Sequence, residues 1–252
     1  MKANIDDRPS ITWLGHGTLL LESVAGTRLL VDPWLEGNPK VPDEYREVSD
    51  LDAIAITHGH LDHISDAPRI ARDTEVPVIS NPEIAAYLGS QGVENLIEMH
   101  KGGTTTIADL AITMVPADHS SGITVAEGQP HVEGGEPVGL IIRFSPEEPP
   151  VYLAGDTTVF GDMSIIRDLY HPELGVLPID GNYNMGPYEA AYAVELLGLR
   201  RVVPIHYGTF PGLPGTADDF KHHVQLRNLE CEVLAIEPGD AVPLSQRSTS
   251  DA

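Results

Sequence analysis

Short apolar runs rich in β-branched residues recur along the chain, and turn-forming residues separate them. Runs of about four to eight such residues, bounded by Gly, Pro, Asn or Asp, are typical of β-strands. Several of these runs lack polar alternation, which is typical of strands that are buried on both faces. The predicted strands span residues 11–14, 18–22, 28–32, 53–57, 76–80, 110–115, 138–144, 151–155, 174–179, 201–206 and 232–237.

Helical spacing of apolar residues appears between some of the runs. One predicted helix begins at Pro187, continues through Ala190, Val194 and Leu197, and ends at Gly198. Hairpins come first and are followed by alternating strands and helices, so the order predicts an α/β fold with sheets inside and helices outside. The other predicted helices span about 64–72, 82–90, 163–170 and 216–227.

The length of 252 residues is enough for one large domain with its own core. We expect a single domain over residues 1–245 and a flexible tail over 246–252. A polar, Gly-rich segment at 126–137 is interpreted as a hairpin loop or as a flap over a site. Cys231 is the only cysteine, so no disulfide can form within the chain.

The charge is strongly negative, because 38 acidic residues face 15 basic ones and give a net charge of −23. Such a surface repels phosphate backbones and anionic membranes, so we expect neither nucleic acid nor membrane as a partner. No apolar leader or membrane-length run is visible, which predicts a cytoplasmic protein. Only four of the basic residues are lysines, which favours a high-salt cytoplasm about as much as an ordinary acidic protein.

The strongest chemical signal is the segment HGHLDH at residues 58–63, directly after the predicted strand 53–57. His58, His60, Asp62 and His63 place four ligand-type side chains within six residues. Imidazoles and a carboxylate are suitable ligands for zinc, manganese or iron. A single histidine is usually structural, whereas four ligand types at this spacing favour a metal site.

Three further polar residues follow strand-like runs and could enter the same cleft. They are His119, Asp156 and His206. Taken singly, these residues could be a loop histidine, a turn aspartate and a core histidine. Together with the HGHLDH segment they favour metal binding.

The ordered set of HxHxDH, His, Asp and His resembles the metallo-β-lactamase fold superfamily over nearly the whole chain. More narrowly, the chain resembles the small metal-dependent hydrolases related to ascorbate-6-phosphate lactonase. The segments that carry the resemblance are WLGHGTLLLE, LLVDPWL, ITHGHLDH, ADHSSG, LAGDT, GNYNMGPYEAA and PIHYGTFP. GNYNMGP and HYGTFP are the more specific markers of the narrower group.

The resemblance implies a four-layer αββα sandwich of two mixed sheets, with two divalent metal ions at one edge and a homo-oligomeric state. No cysteine is among the implied ligands, so manganese and iron stay open beside zinc. Asp62 would orient an activated water and carry a proton. The implied ligands are His58, His60 and His119 for one metal and Asp62, His63 and His206 for the other, with Asp156 as the bridge.

Five more residues have both a functional and a structural interpretation. His16 could contact substrate or transfer a proton at the rim of the site, or only shape a turn between two glycines. Asp32 could orient a ligand histidine or only end a strand. Asn182 and Asn184 could line the pocket, although capping or turn formation is slightly favoured. Tyr207 could contact substrate, although a packed aromatic residue is somewhat favoured.

Three functions from different classes are therefore open. We expect a metal-dependent hydrolase that uses a hydroxide activated by two metals to cleave a small ester, lactone or phosphoester. The alternatives are a nuclease or phosphodiesterase on the same scaffold, which the net charge opposes, and a metal-binding protein without catalysis.

Overall fold

The computed structural model describes residues 8–126, 128–146 and 148–244. The predicted tail at 246–252 lies outside these residues. Within them, fourteen strands form two sheets of seven strands each. No helix of the described part is long and apolar enough to cross a bilayer.

Each sheet is built mainly from one half of the chain. The first sheet contains β1 (Ser10–Trp13), β2 (Leu19–Glu22), β3 (Arg28–Val31), β4 (Ala53–Ala55), β5 (Val78–Ser80) and β6 (Leu96–Glu98). The second sheet contains β7 (Thr104–Ile107), β8 (Leu110–Pro116), β9 (Val138–Arg143), β10 (Val151–Leu153), β11 (Leu174–Pro178), β12 (Arg201–Ile205) and β13 (Glu232–Val233). The last strand, β14 (Ala241–Pro243), returns to the first sheet and pairs with β1.

The two halves share one topology although no sequence repeat is evident. In the first half, β1, β2 and β3 pair antiparallel, and β3 to β6 pair parallel. In the second half, β7 to β10 pair antiparallel, and β10 to β13 pair parallel. Parallel pairing brings the carboxyl ends of several strands to one edge, where open α/β sheets bind ligands.

Helices cover the outer face of each sheet. They are α1 (Leu61–Ile64), α2 (Ala67–Thr74), α3 (Pro82–Ser90), α4 (Met163–Tyr170), α5 (Pro187–Leu197) and α6 (Ala217–Leu226), with a 3₁₀ turn at Asp43–Tyr45. One apolar cluster lies between the sheets, a second joins the second sheet to α4, α5 and α6, and a third joins the first sheet to α1, α2 and α3. These three layers of contact confirm the four-layer αββα sandwich.

The predicted helix at 64–72 is wrong in its bounds, because two helices, α1 and α2, occupy the region. The backbone N–H of Asp66 donates to Pro33 C=O instead of continuing α1. The Asp66 carboxylate accepts from the backbone N–H groups of Leu35 and Glu36. Asp66 therefore ties this helical break to the loop after β3, and Pro68 lies in the first turn of α2.

The strands that hydrophobic runs did not predict are edge strands. β6, β7 and β14 each lie at or next to the end of a sheet where side chains are partly exposed. The predicted strand 232–237 is shortened to two residues, and it too is an edge strand. An edge strand is held by pairing on one side, so its sequence needs fewer apolar residues.

The polar segment at 126–137 closes as a hairpin-like loop. Ile123 and Val132 form an antiparallel bridge at its base. The carbonyl of Gly134 accepts hydrogen bonds from Ser121 Oγ and Asn81 Nδ2. The hairpin interpretation therefore describes the base of the segment.

Tyr152 lies fully buried between the second sheet and its helices. Among the described residues its hydroxyl has no hydrogen-bond partner, and burial raises the pKa of the phenol. We expect Tyr152→Phe to raise the free energy of unfolding by up to about 1 kcal/mol, because it removes a buried, unpaired hydroxyl. Urea denaturation measures the change. Tyr152→Ala is the comparison and should cost about 3–5 kcal/mol through the cavity it leaves. A Phe variant less stable than the parent would contradict the expectation.

Candidate metal centre

The site residues predicted from sequence meet at one edge of the sandwich. Each follows the carboxyl end of a strand: the HGHLDH segment follows β4, His119 follows β8, Asp156 follows β10 and His206 follows β12. Their nitrogen and oxygen atoms form two groups whose members lie within 4.8 Å of one another. One group contains His58, His60, His119 and Asp156, and the other contains His16, Asp62, His63 and His206.

The Asp156 carboxylate lies at the centre of four imidazoles. Its Oδ2 is 3.2 Å from His206 Nε2, 3.7 Å from His119 Nε2 and 3.8 Å from His58 Nε2. Its Oδ1 is 3.4 Å from His63 Nε2. This placement between the two groups matches the bridging position that the resemblance implies.

The HGHLDH segment packs closely against residues 121–123 because Gly59 has no side chain. A Cβ at Gly59 would lie 2.6 Å from Ile123 Cγ1 and 3.0 Å from the carbonyl oxygen of Ser121. Within the segment, His58 Nε2 lies 3.1 Å from His60 Nδ1. The following α1 begins at Leu61, so its first turn directs Asp62 and His63 into the same region.

A second set of polar groups contacts ring nitrogens of His58, His60 and His63. Thr57 Oγ1 lies 3.0 Å from His58 Nδ1, and Ser120 Oγ lies 3.1 Å from His60 Nε2. Asp32 Oδ2 lies 2.9 Å from His63 Nδ1. Contacts of this kind orient ligand histidines and leave the other ring nitrogen free for a metal. The structure thus places Asp32 where the orienting interpretation put it.

His16 is fully buried and contacts Asp62. Its Nε2 lies 2.8 Å from Asp62 Oδ2, and its Nδ1 lies 2.9 Å from Thr209 Oγ1. Its ring centroid is 3.6 Å from that of His206. A Cβ at Gly17 would overlap the His63 ring, so the second glycine of LGHGT leaves space for the site.

Three site residues adopt left-handed backbone conformations. They are His16 with φ 54°, Asp32 with φ 49° and His206 with φ 61°. Non-glycine residues rarely adopt this conformation, and it persists where the surrounding structure fixes it. Asp32 and His206 directly follow β3 and β12, and His16 lies in the turn between β1 and β2.

Comparisons with known proteins agree with this geometry. The β-lactamase superfamily domain matches residues 27–207. A metal-dependent hydrolase of Rubrobacter xylanophilus is 46% identical over 91% of this chain and 94% of its own length. A metal-dependent hydrolase of Methanopyrus kandleri is 46% identical over 92% of this chain and 98% of its own length. The chain belongs to the metal-dependent hydrolases of the β-lactamase superfamily. The family resemblance is confirmed.

A solved structure extends the likeness from sequence to fold. Igni18, a metallo hydrolase from the hyperthermophilic archaeon Ignicoccus hospitalis, superposes with a TM-score of 0.81 at 35% identity. The match covers 95% of this chain and 99% of that one. This metal-dependent hydrolase therefore has the fold and the length of its relatives.

The donor atoms of this hydrolase fit a metal cation. Within the described residues, His63 Nε2, His206 Nε2 and Asp156 Oδ1 are buried without a hydrogen-bond partner. Buried polar groups are nearly always paired, so three orphaned atoms at one point indicate a missing partner. A divalent cation would satisfy the nitrogens and the carboxylate oxygen together.

The histidines of the site fall into two sets whose pKa values are shifted in opposite directions. Burial opposes protonation of His206, but Asp156 and Asp180 outweigh it and raise its pKa to about 9. Burial likewise opposes protonation of His63, and the carboxylates of Asp156 and Asp32 raise its pKa well above the usual value. These two rings lie on the acidic side of the centre.

The other three ligand-type histidines favour the neutral form. Burial lowers the pKa of His58, His60 and His119, and neighbouring imidazoles lower it further. A metal ligand must be a neutral imidazole, so this group is prepared to bind without losing a proton.

The predicted pocket residues occupy different positions. Asn184 Nδ2 donates to Asp180 Oδ2, whereas Asn182 is exposed and contributes its backbone N–H to Asp180 Oδ1. The Tyr207 ring stacks on Trp13 at 5.4 Å. These contacts are the structural ones weighed for the three residues, and a role in substrate contact stays a prediction.

Asp180 is a charged site residue that sequence reasoning missed. It is fully buried, and its Oδ2 lies 3.0 Å from His206 Nδ1. Burial opposes its ionisation, but His206 and the backbone N–H groups of Asn182 and Tyr183 lower its pKa to about 2. It directly follows a strand-like run, as Asp156 and His206 do, so the same rule would have found it.

We expect Asp180→Asn to weaken metal binding by roughly 10- to 100-fold, because the ring of His206 loses its charged support. Competition with a chromophoric chelator measures the affinity. Asp168→Asn is a matched control on the exposed face of α4 and should leave the affinity unchanged. An unchanged affinity in Asp180→Asn would contradict a role for Asp180 in positioning His206.

Proposed function

We propose that this hydrolase binds two divalent metal ions, zinc, manganese or iron, and cleaves a small ester, lactone or phosphoester. One observation carries the proposal: two groups of four donor atoms adjoin, and the Asp156 carboxylate of the first group lies 3.2 Å from His206 and 3.4 Å from His63 of the second. One closed cage of four protein ligands would suit a structural ion, whereas two adjoining groups suit a catalytic pair.

The residues would divide between holding the ions and handling protons. His58, His60 and His119 would hold one ion, and Asp62, His63 and His206 the other, with Asp156 between them. When bound, the ions would lower the pKa of a water molecule and polarise an oxygen of the substrate.

Asp62 is suited to accept and deliver the proton. Burial opposes its ionisation, but the hydrogen bond from His16 lowers the pKa of the carboxyl and keeps it charged. Its side chain is 32% exposed, whereas the His16 side chain is fully buried. Asp62 can therefore accept a proton at the centre and release it to a leaving group in the cleft.

His16 would hold Asp62 in position. Burial lowers the pKa of His16 to about 4, so the ring is neutral near pH 7. A neutral ring that donates from Nε2 to Asp62 accepts the Thr209 hydroxyl at Nδ1, which uses both nitrogens. Because both ring nitrogens are engaged, we infer that His16 positions Asp62 and takes no direct part in proton transfer or substrate contact.

The proposed partner is a small molecule. The net charge of −23 opposes nucleic acid, which a phosphodiesterase of the same superfamily would require. The fluorogenic or chromogenic probes for a first survey are 4-nitrophenyl acetate, γ-butyrolactone with a pH indicator, and bis(4-nitrophenyl) phosphate. Cleavage of the last probe alone would identify a phosphoester as the substrate class, whereas cleavage of a fluorogenic RNA or DNA oligonucleotide would favour the nuclease or phosphodiesterase alternative.

Metal content is the first measurement. We expect elemental mass spectrometry of protein purified without added metal or a nickel column to find about two equivalents of one divalent metal. Chelation should abolish turnover, and readdition of that metal should restore it. A protein that holds no metal and takes none up would contradict the proposal.

Turnover of Asp62→Asn tests the proton role. We expect kcat on the probe that is cleaved to fall by roughly 10²- to 10⁴-fold, because the amide cannot accept the proton. Metal content and melting temperature are measured on the same sample. Asp162→Asn, at the exposed start of α4, is the control and should retain full activity. Parallel losses of turnover and stability would contradict the assigned role.

A further inference from the structure

The two sides of the proposed centre present different surfaces. On the side of His60 and His119, the exposed Ser120 places its hydroxyl 3.1 Å from His60 Nε2. On the other side, two aromatic residues, Trp34 and Phe210, contact His16, which in turn contacts Asp62. A substrate bound at the centre would therefore meet a hydroxyl group on one side and an apolar wall on the other.

Three rings form the apolar wall. The centroids of Trp34 and Phe210 are 5.8 Å apart, and each is 5.2 Å from the centroid of His16. His16 is fully buried beneath them, while Phe210 is 39% exposed and Trp34 is partly exposed. The three rings therefore pack against one another as an aromatic cluster, and its buried member, His16, lies with Nε2 2.8 Å from Asp62 Oδ2.

Both aromatic residues belong to segments that also build the centre. Trp34 comes two residues after Asp32, and Phe210 comes four residues after His206. Single exposed apolar residues are common on protein surfaces and need no function. Trp34 and Phe210 come from separate segments and both pack on His16 beside the centre. This is a stronger signal, because substrates bind where apolar walls meet convergent polar groups.

The backbone around both rings is fixed. The Trp34 N–H donates to Thr18 Oγ1, and Gly37 leaves space for the indole, since a Cβ there would lie 2.8 Å from Trp34 Nε1. The Phe210 carbonyl accepts from the Leu213 N–H. Ordered aromatic side chains lose little conformational entropy when a ligand binds, so Trp34 and Phe210 are preorganised for a ligand.

We propose that Trp34 and Phe210 form the subsite for the group of the substrate that does not react, and that this group is uncharged and apolar, preferably aromatic. The inference rests on the proposed function, since it places the reacting ester, lactone or phosphoester at the metal centre. The ring faces and edges suit a flat apolar group, and the acidic surface disfavours an anionic one. The subsite selects among substrates and takes no part in the chemical step.

Binding of two phosphonates tests the subsite apart from turnover. Methylphosphonate and benzylphosphonate carry the same anionic group for the metal centre and differ by one phenyl ring. Isothermal titration calorimetry on the metal-loaded protein gives both dissociation constants. We expect benzylphosphonate to bind at least roughly tenfold more tightly, as an apolar pocket discriminates by such factors.

Variants test which residue causes the preference for benzylphosphonate over methylphosphonate. Phe210→Ala should reduce it to below about threefold and leave methylphosphonate binding unchanged, because only the phenyl contact is lost. Phe210→Leu, which keeps an apolar side chain, should retain part of it. Tyr188→Ala removes an aromatic residue that is 59% exposed on α5 and should retain the full preference.

The outcomes separate the subsite from the proposed function. Equal affinities in the parent protein, or a preference that survives Phe210→Ala, would overturn the subsite and leave the metal centre standing. A preference lost in Phe210→Ala by a protein that cleaves none of the three probes would support the subsite and count against the proposed reaction. Failure of both phosphonates to bind would overturn the subsite, and metal content would then show whether the centre fails with it.

Discussion

One buried carboxylate organises the site, because the side chains of Asp156 and of four histidines converge on a single point. A charge in the interior is costly unless opposite charges or hydrogen bonds compensate it. His63 and His206 supply that compensation from 3.4 and 3.2 Å, and each is supported in turn by a second carboxylate, Asp32 or Asp180. Alternating carboxylates and imidazoles thus compensate the buried charges of the centre. The donor atoms that lack a hydrogen-bond partner suit a cation.

The sandwich fold places these groups at one edge. Each half of the chain repeats the same order of antiparallel and then parallel strands, and site residues follow the carboxyl ends of β3, β4, β8, β10, β11 and β12. The left-handed conformations of Asp32 and His206 occur directly after β3 and β12, and that of His16 occurs in the turn between β1 and β2. Gly17 leaves space for the His63 ring, and Gly59 leaves space for Ser121 and Ile123.

In the proposed function, different residues of this hydrolase would serve chemistry and selection. Five histidines, Asp62 and Asp156 would hold the ions, and Asp62, kept ionised by His16, would also handle the proton. Trp34 and Phe210 adjoin this machinery through His16 and contribute no ionisable group. A change in the apolar wall could therefore alter the choice of substrate without altering the reaction, which is how one scaffold serves many hydrolytic functions.

The sequence by itself determined the central strands, most helices, the family and the candidate metal ligands, because buried strands and closely spaced ligand-type residues leave strong local patterns. Edge strands β6, β7 and β14 were missed, since strands paired on one side need little apolar sequence. Asp180 followed the same strand-end rule as Asp156, yet only its distance to His206 reveals its role. Tertiary structure alone decided that His16 lies buried against Asp62 and that Trp34 meets Phe210, because these contacts join segments far apart in the chain and depend on how the two sheets pack.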